Sequence, residues 1–443
     1  MLFSTFMMAL VSVVAGTLIA CVLGCLPGLH IYNVMGFLVL WMLQGSLALP
    51  DVCFVAAMTG MVVGWAVMNT IPSMLLGTPD ESALFTVLPG QKYLMAGRGY
   101  EGTMLTSVGT LAGAYFLLLV VAPCATKFLP ISQLVLKGHM HWVLWIIITF
   151  MIMSEWPKGG NRGRAGWLKF FDAWKTLLAG LATFLLAGFL GFVLQTASPL
   201  SHDIAFQNIM PAFVGLFAVP WCLLNIISAA DVPPQRLCKS LDLNGDILLR
   251  SVWSGGLGGG IAAYFPVVTG GVGGMLAGHA CAQRDERIFI MGQGVSKFIY
   301  YVGSFMLLFV PGLYLTRGGG AQLLTRLYAP NGMSDYYLVL GCIAISAGIS
   351  YLMVSPLSRL TLHLIGKFNY RTVSIFALVL IVAMVAWLTG WVGLFIALVA
   401  TGIGLLPVLF GSRRLNCLGV LLLPIACSMS GFSPAIARFL GLD

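Results

Sequence analysis

The sequence predicts an all-α polytopic membrane protein. Three observations carry that reading. Hydrophobic residues make up 59% of the chain and charged ones 8%, with a mean hydropathy of +0.97, a balance that soluble domains do not have. Apolar runs of membrane-spanning length recur from one end of the chain to the other. Lys and Arg, which bring the formal net charge to +9, sit between those runs, as cytoplasmic loops require.

In chain order the runs fall at 2–23, 31–49, 52–68, 105–121, 142–153, 177–194 and 209–227, then at 298–315, 337–354, 373–388, 392–409 and 418–426. A spanning helix takes about 20 apolar residues, so with flanks and tilt these give about 10–12 membrane segments. The first run has no Lys or Arg before it and is too long for a signal-peptide core, so it reads as the first segment. The densest basic cluster, Lys158, Arg162, Arg164, Lys169 and Lys175, is interleaved with Glu155 and Asp172. That is loop chemistry, and no nucleic-acid partner is expected. Most of the ten cysteines lie inside apolar runs and act as small hydrophobes. Cys21 and Cys25 share a helix face, but no zinc-spaced His/Cys quartet accompanies them, so neither a metal site nor a disulfide framework is expected.

The chain divides into 1–156, a first membrane repeat; 157–176, a basic cytoplasmic loop; 177–250, linking spans and a loop; and 251–443, a second repeat. If the basic loop is cytoplasmic, the run 251–281 starts and finishes on the same side and is a hairpin. Its sequence, SGGLGGGIAAYFPVVTGGVGGMLAGHA, breaks at Pro266, because proline removes a backbone donor and glycine weakens the flanks. Cavity lining and close helix packing through small residues both account for so many glycines. The first half has a counterpart in GTLIACVLGCLPGLHIYNV, broken at Pro27-Gly28 and followed by His30 and Asn33. Each half therefore holds a Gly/Pro-broken, re-entrant or kinked hairpin followed by an acidic pair, Asp80-Glu81 or Asp285-Glu286. Secondary transporters build midplane sites from such inverted repeats with broken helices.

The two breaks are the candidate substrate site. A broken helix turns free N–H groups and a positive dipole end toward its gap, which suits carboxylate or phosphate. The candidate residues are Pro27, Gly28, His30 and Asn33 in the first hairpin and Pro266, Thr269, Gly270 and Gly271 in the second. His30 and Asn33 would share a face in a helix; alternatively His30 is satisfied by backbone near a helix start. Thr78, Asp80, Glu81 and Ser82 form the candidate ion-coupling site. The carboxylates there have three readings: capping the helix that follows, titrating or binding sodium, or pairing with Lys92 or Arg98. Arg98, Gln293, Ser296 and Lys297 are candidate anion contacts, against the plainer reading of the cations as topology signals. Trp and Tyr near span ends form an aromatic belt, and GWLKFFDAW (166–174) is amphipathic enough to lie on the inner leaflet, touching membrane lipid.

The PGLH element at 27–30, the segment TPDESALFTVLPGQKYLMAGRGYEG at 78–102, and the looser glycine-rich run 264–297 resemble the large membrane subunit of tripartite tricarboxylate transporters, the TctA family. The resemblance covers most of the chain and is closest to the family's stand-alone archaeal-type branch. Carboxylate-transporting members have glycine-rich motifs in both halves and work with a small membrane subunit and a soluble binding protein. Here the first motif carries His30 in place of a small residue, and the second has Thr269-Gly270-Gly271 after Pro266.

The reading that follows is a secondary transporter of the cytoplasmic membrane, coupled to Na+ or H+ and needing no other cofactor, that moves a small organic anion by alternating access. The alternatives are a translocase for a phosphate-bearing polyprenyl lipid carrier and a non-transporting membrane assembly protein. No nucleophile elbow, P-loop or paired metal motif argues for an enzyme.

Overall fold

The computed structural model describes residues 2–26, 29–77, 87–157, 166–200, 209–228, 232–281, 285–367 and 370–442. Every regular element among them is helical, as the apolar runs predict. In order these are α1 (Leu2–Leu23), α2 (Ile31–Leu43), α3 (Asp51–Met68), α4 (Thr70–Leu75), α5 (Val87–Met95) and α6 (Gly99–Phe116). The chain passes through a π-turn into α7 (Ala122–Leu136), then a 3-10 turn, α8 (Met140–Met153) and α9 (Trp167–Thr196). α10 (Ile209–Phe213) runs through a second π-turn into α11 (Val219–Ser228). Then come α12 (Gly245–Tyr264), α13 (Gly270–Ala280), α14 (Glu286–Phe298), a third π-turn (Ile299–Gly303), α15 (Ser304–Leu307) and α16 (Gly318–Leu324). The long helices α17 (Met333–Lys367) and α18 (Tyr370–Phe410) lead to a 3-10 turn (Arg414–Leu418), α19 (Gly419–Met429) and α20 (Ser433–Leu440).

Among the described residues, seven helices are long and apolar enough to cross a membrane, or eight if the bent pair Arg414–Met429 and Ser433–Leu440 is one span. The expected 10–12 segments include runs that fold differently. The run 31–49 ends as a helix at Leu43, because Gly45 takes a left-handed φ of 70° and Pro50 follows. Its 13 residues are too short to cross alone. Other runs join into single helices. Gly99–Met153 is 55 residues, or about 83 Å if straight, nearly three times the hydrocarbon thickness. Gly390, with φ 63° and ψ −159°, breaks α18 into two arms of spanning length.

The helices form two compact units that interleave along the chain: Met1–Leu134 with Ala230–Val373, and Val135–Ala229 with Ser374–Asp443. This cut differs from the sequential repeat blocks, since the stretch after 135 packs with the C-terminal 70 residues rather than with its chain neighbours.

In the first unit, α3 is the enclosed element: Cys53 through Met68 are all buried, as befits a helix apolar on every face. α1 lies along it by virtue of glycine. A Cβ on Gly16 would come 2.2 Å from the Ala57 carbonyl oxygen, and one on Gly60 would come 2.4 Å from that of Val13. The second half repeats the device where α12 meets α13, with Gly258 and Gly273 each set against the other's carbonyl. The halves join at α6 and α14, where Gly109 faces the Met291 carbonyl and Gly294 that of Thr106. Small residues bring backbones together where lipid offers no hydrophobic drive between helices.

In the second unit, Val214 and Cys222 pack with Ala377, Ile381 and Val385 of one α18 arm and Ala397 of the other. α9 meets α19 at Gly191, beside the Val420 carbonyl. The segment 167–173 does not lie flat as a separate helix. It continues α9 beyond the spanning stretch Trp174–Thr196, with Trp167, Leu168, Phe170 and Phe171 exposed. All ten cysteines are free thiols.

Candidate functional site

Two helix starts in the first unit, those of α2 and α13, are each capped by a side chain from extended backbone. In the second, α12 stops at Tyr264, Phe265 turns extended, and Pro266 opens a four-residue break in which Val267 takes a left-handed φ of 56°. Thr269 then caps α13, its Oγ1 accepting from the Val272 N–H at 3.4 Å. In the first, His30 lies three residues after Pro27, as Thr269 does after Pro266. It caps α2 from an extended conformation (φ −97°, ψ 138°), Nδ1 accepting from the Tyr32 N–H at 3.2 Å. Pro27 and Gly28 lie outside the described residues. His30 is thus a cap rather than a face-mate of Asn33, which is buried one turn into α2. At each helix start one N–H that the dipole argument left free is taken by its cap.

The two starts converge on the stretch 297–301 of α14 and its π-turn. His30 Nε2 lies 3.4 Å from the Tyr301 hydroxyl, and its ring sits 4.4 Å from that of Tyr32 and 5.0 Å from that of Trp65. On the other side, a Cβ on Gly270 would come 3.1 Å from Tyr300 and 3.2 Å from Lys297, and the Gly270 carbonyl accepts from Ser296 Oγ at 2.8 Å. Gly271, next in α13, follows in the same first turn. The π-turn widens the helix at this crossing, as such bulges do at functional positions.

Lys297 is the pivotal side chain. It is only 3% exposed, and its ammonium donates to Thr70 Oγ1 at 2.7 Å, across the break between α3 and α4. Asn69, at that break, accepts from Ser73 Oγ through both its carbonyl and its Oδ1. Among the described residues, three buried polar atoms around these elements have no hydrogen-bond partner: Trp65 Nε1, Gln293 Oε1 and Tyr264 OH. A buried ammonium, an imidazole edge, hydroxyls and an unpartnered indole N–H together favour oxygen-rich anions.

The other candidates stand elsewhere. Arg98 is exposed, paired with Glu101 at 2.6 Å and stacked 5.0 Å over Tyr93. Lys92 pairs with Glu286 at 2.6 Å. Asp285 caps α14 through the Arg287 N–H, and Arg287 also binds Asp242. The Arg287 guanidinium holds the Asp285 carboxyl below its ordinary range, while Glu101 raises Arg98. Thr78, Asp80, Glu81 and Ser82 lie outside the described residues. Among the described residues no three His, Cys, Asp or Glu gather as metal ligands.

Trp65, Tyr301 and Arg317 were not singled out by sequence. Arg317 donates from Nε to the Tyr264 carbonyl at 3.1 Å and precedes Gly319, which packs on the Tyr32 ring. An arginine beside a Gly-Gly-Gly start was the only available signal for it.

The chain matches the tripartite tricarboxylate transporter TctA family over residues 10–419. It is 24% identical over 438 residues to an uncharacterized protein of Methanocaldococcus jannaschii, spanning 94% of this chain and 98% of that one. That archaeal relative of equal length fits the stand-alone branch. No solved structure matches significantly. The family works with other subunits and moves anionic substrates. With its apolar helices and a family match along nearly its whole length, the chain belongs to the tripartite tricarboxylate transporter TctA family and is an integral membrane component of a transporter.

Proposed function

We propose that the chain is a secondary transporter for a small organic anion of the carboxylate class, coupled to Na+ or H+ and working by alternating access about its two broken hairpins. The observation that carries this is Lys297. An ammonium 3% exposed between two membrane repeats is expensive to keep. A substrate carboxylate arriving beside it would add to the interactions it already makes, and the caps His30 and Thr269 bring the starts of α2 and α13 to the same stretch of α14. Asp80 and Glu81 are the proposed coupling carboxylates, on sequence grounds. The basic loops favour the cytoplasmic membrane, and a small membrane subunit and a soluble binding protein are the proposed partners.

The test is ligand-induced thermal stabilisation of the purified protein. The panel holds di- and tricarboxylates, inorganic phosphate and polyprenyl phosphates, each with and without sodium and at two pH values. A carboxylate shift that Lys297→Gln abolishes supports the proposal. A shift with polyprenyl phosphate alone replaces it with lipid-carrier translocation. Asp80→Asn should remove the ion dependence of the shift, and an unchanged dependence takes Asp80 out of the coupling role.

A further inference from the structure

The second unit holds a polar cluster that the transport site does not use. It lies where α18 ends and the 3-10 turn Arg414–Leu418 leads into α19, against α11. The Arg414 guanidinium stacks on Trp221, its Cζ 4.3 Å from the ring centroid, and it has no carboxylate partner among the described residues. Trp221 and Asn225 stand one turn apart on α11, so they share a face. Each is 9% exposed, yet among the described residues Trp221 Nε1 and Asn225 Nδ2 have no hydrogen-bond acceptor. Two nine-tenths-buried donors on the α11 face that meets Arg414 through Trp221 would destabilise the fold unless an acceptor reaches them.

The surroundings indicate which acceptor. Glu155, the nearby carboxylate, is already engaged: its Oε1 accepts from the Arg413 N–H at 2.6 Å and from Asn416 Nδ2 at 3.3 Å. Lys175 lies 5.9 Å over the Phe410 ring, so the basic end of α9 and the end of α18 are at one level. The first turns of α9 present exposed Trp167, Phe170 and Phe171, with Trp174 5.0 Å from Trp156. Aromatic girdles with basic side chains mark the headgroup level of a membrane. Guanidinium geometry matches a phosphate, and a cation with no carboxylate partner among the described residues favours a lipid of net negative charge over a zwitterionic one, whose own ammonium competes for the phosphate. We propose that Arg414, Trp221 and Asn225 form a binding site for the phosphate of an anionic phospholipid, on the side of the membrane where the basic loops lie. The site is separate from the proposed transport site and does not depend on it.

The test uses the full-length protein in dodecyl maltoside micelles carrying phosphatidylglycerol, phosphatidylcholine or inorganic phosphate. Bound lipid is counted by native mass spectrometry, and stability is followed by thermal unfolding. Phosphatidylglycerol should bind in preference to phosphatidylcholine and raise the unfolding temperature. Arg414→Gln should weaken that binding by about tenfold or more, the loss expected for a charged hydrogen bond. Trp221→Phe keeps a ring under Arg414 but deletes the N–H, so it tests the site even if Arg414→Gln folds poorly; it should weaken binding several-fold. Exposed Arg326→Gln should change nothing. Equal binding of the two lipids, or unchanged phosphatidylglycerol affinity in both site variants, would overturn the proposal. Arg414-dependent protection by inorganic phosphate alone would overturn the lipid source and assign the site to a soluble anion.

Discussion

The hydrogen bond from Lys297 Nζ to Thr70 Oγ1 joins residues 227 positions apart and ties the second repeat to the first. Thr70→Val removes its acceptor with little change of shape. A hydrogen bond to a charged group contributes about 1.5–3 kcal/mol. Thr70 is 1% exposed, so water does not replace the lost hydroxyl and the upper half of that range applies. Lys297→Met removes the donor and keeps an unbranched stem. Lys297 makes further interactions, so its single substitution reports several losses at once, and only a double-mutant cycle isolates this one. The four proteins would be unfolded at equilibrium in mixed micelles. The expected coupling is about 1.5–3 kcal/mol, whereas independent sites add to within about 0.3–0.5 kcal/mol. A coupling inside that additive range would refute the bond as a tie between the repeats. A Thr70→Val protein as stable as the wild type would refute it more directly.

Three further outcomes follow from the geometry. His30→Ala removes the α2 cap and should cost about 1 kcal/mol, while His30→Asn keeps a capping oxygen and should recover most of it; both should lose the anion-induced shift, and retention of the shift in the Asn variant would confine His30 to capping. Gly258→Ala sets a methyl 2.4 Å from the Gly273 carbonyl oxygen and should cost about 1–3 kcal/mol, whereas Gly260→Ala meets nothing within 4 Å and should be neutral or slightly stabilising. Equal melting temperatures for the two would deny the close α12–α13 crossing. Because Arg287 depresses the folded pKa of Asp285 below its unfolded value of about 3.9, the pair stabilises the fold above that pH and the gain is lost as pH falls through the lower folded value. Asp285→Asn should therefore flatten the acid limb of a stability–pH curve below about pH 5, and an unchanged limb would show that the pairing is not maintained in solution.

The helical membrane class and the break at Pro266 were legible because both follow from local chemistry: transfer of apolar side chains, and a residue that cannot donate. The end of α2 was legible only in part. Hydropathy carries the run to Leu49, but Gly45 and Pro50 stop the helix at Leu43. His30 and Lys297 stood out as polar residues in apolar surroundings, yet neither Thr70 nor Tyr301 could be named as a partner. A threonine or tyrosine inside an apolar run looks like core until a distant helix crosses it. The partner of Lys92 is hidden for the same reason. It is Glu286, 194 positions away, whereas Arg98 pairs with its near neighbour Glu101. The interleaving of the two units rests on pairings such as Glu155 with Arg413, 258 residues apart, which no local pattern encodes.

The helix starts at α2 and α13 share a capping plan and differ in chemistry, and on the proposed transport reading that difference sets what would be held there. Each places a capping side chain three residues after its proline, with the following helix starting at the next position. Equal spacing gives equal dipole ends, so by backbone alone the halves would be equivalent toward an anion. The side chains remove that equivalence. The first half supplies the imidazole of His30 and the rings of Tyr32 and Trp65, a large, aromatic and weakly polar wall. The second supplies Ser296, Gly270 and Lys297, small or strongly polar groups, with the Lys297 ammonium reaching across to Thr70. An anion seated at 297–301 would meet its charge partner on one side and rings on the other. Transport of a symmetric inorganic anion would not need such an asymmetry, whereas a carboxylate on a carbon skeleton would use both walls. Selectivity for inorganic phosphate over any carboxylate would therefore contradict the arrangement more sharply than weak binding of all ligands.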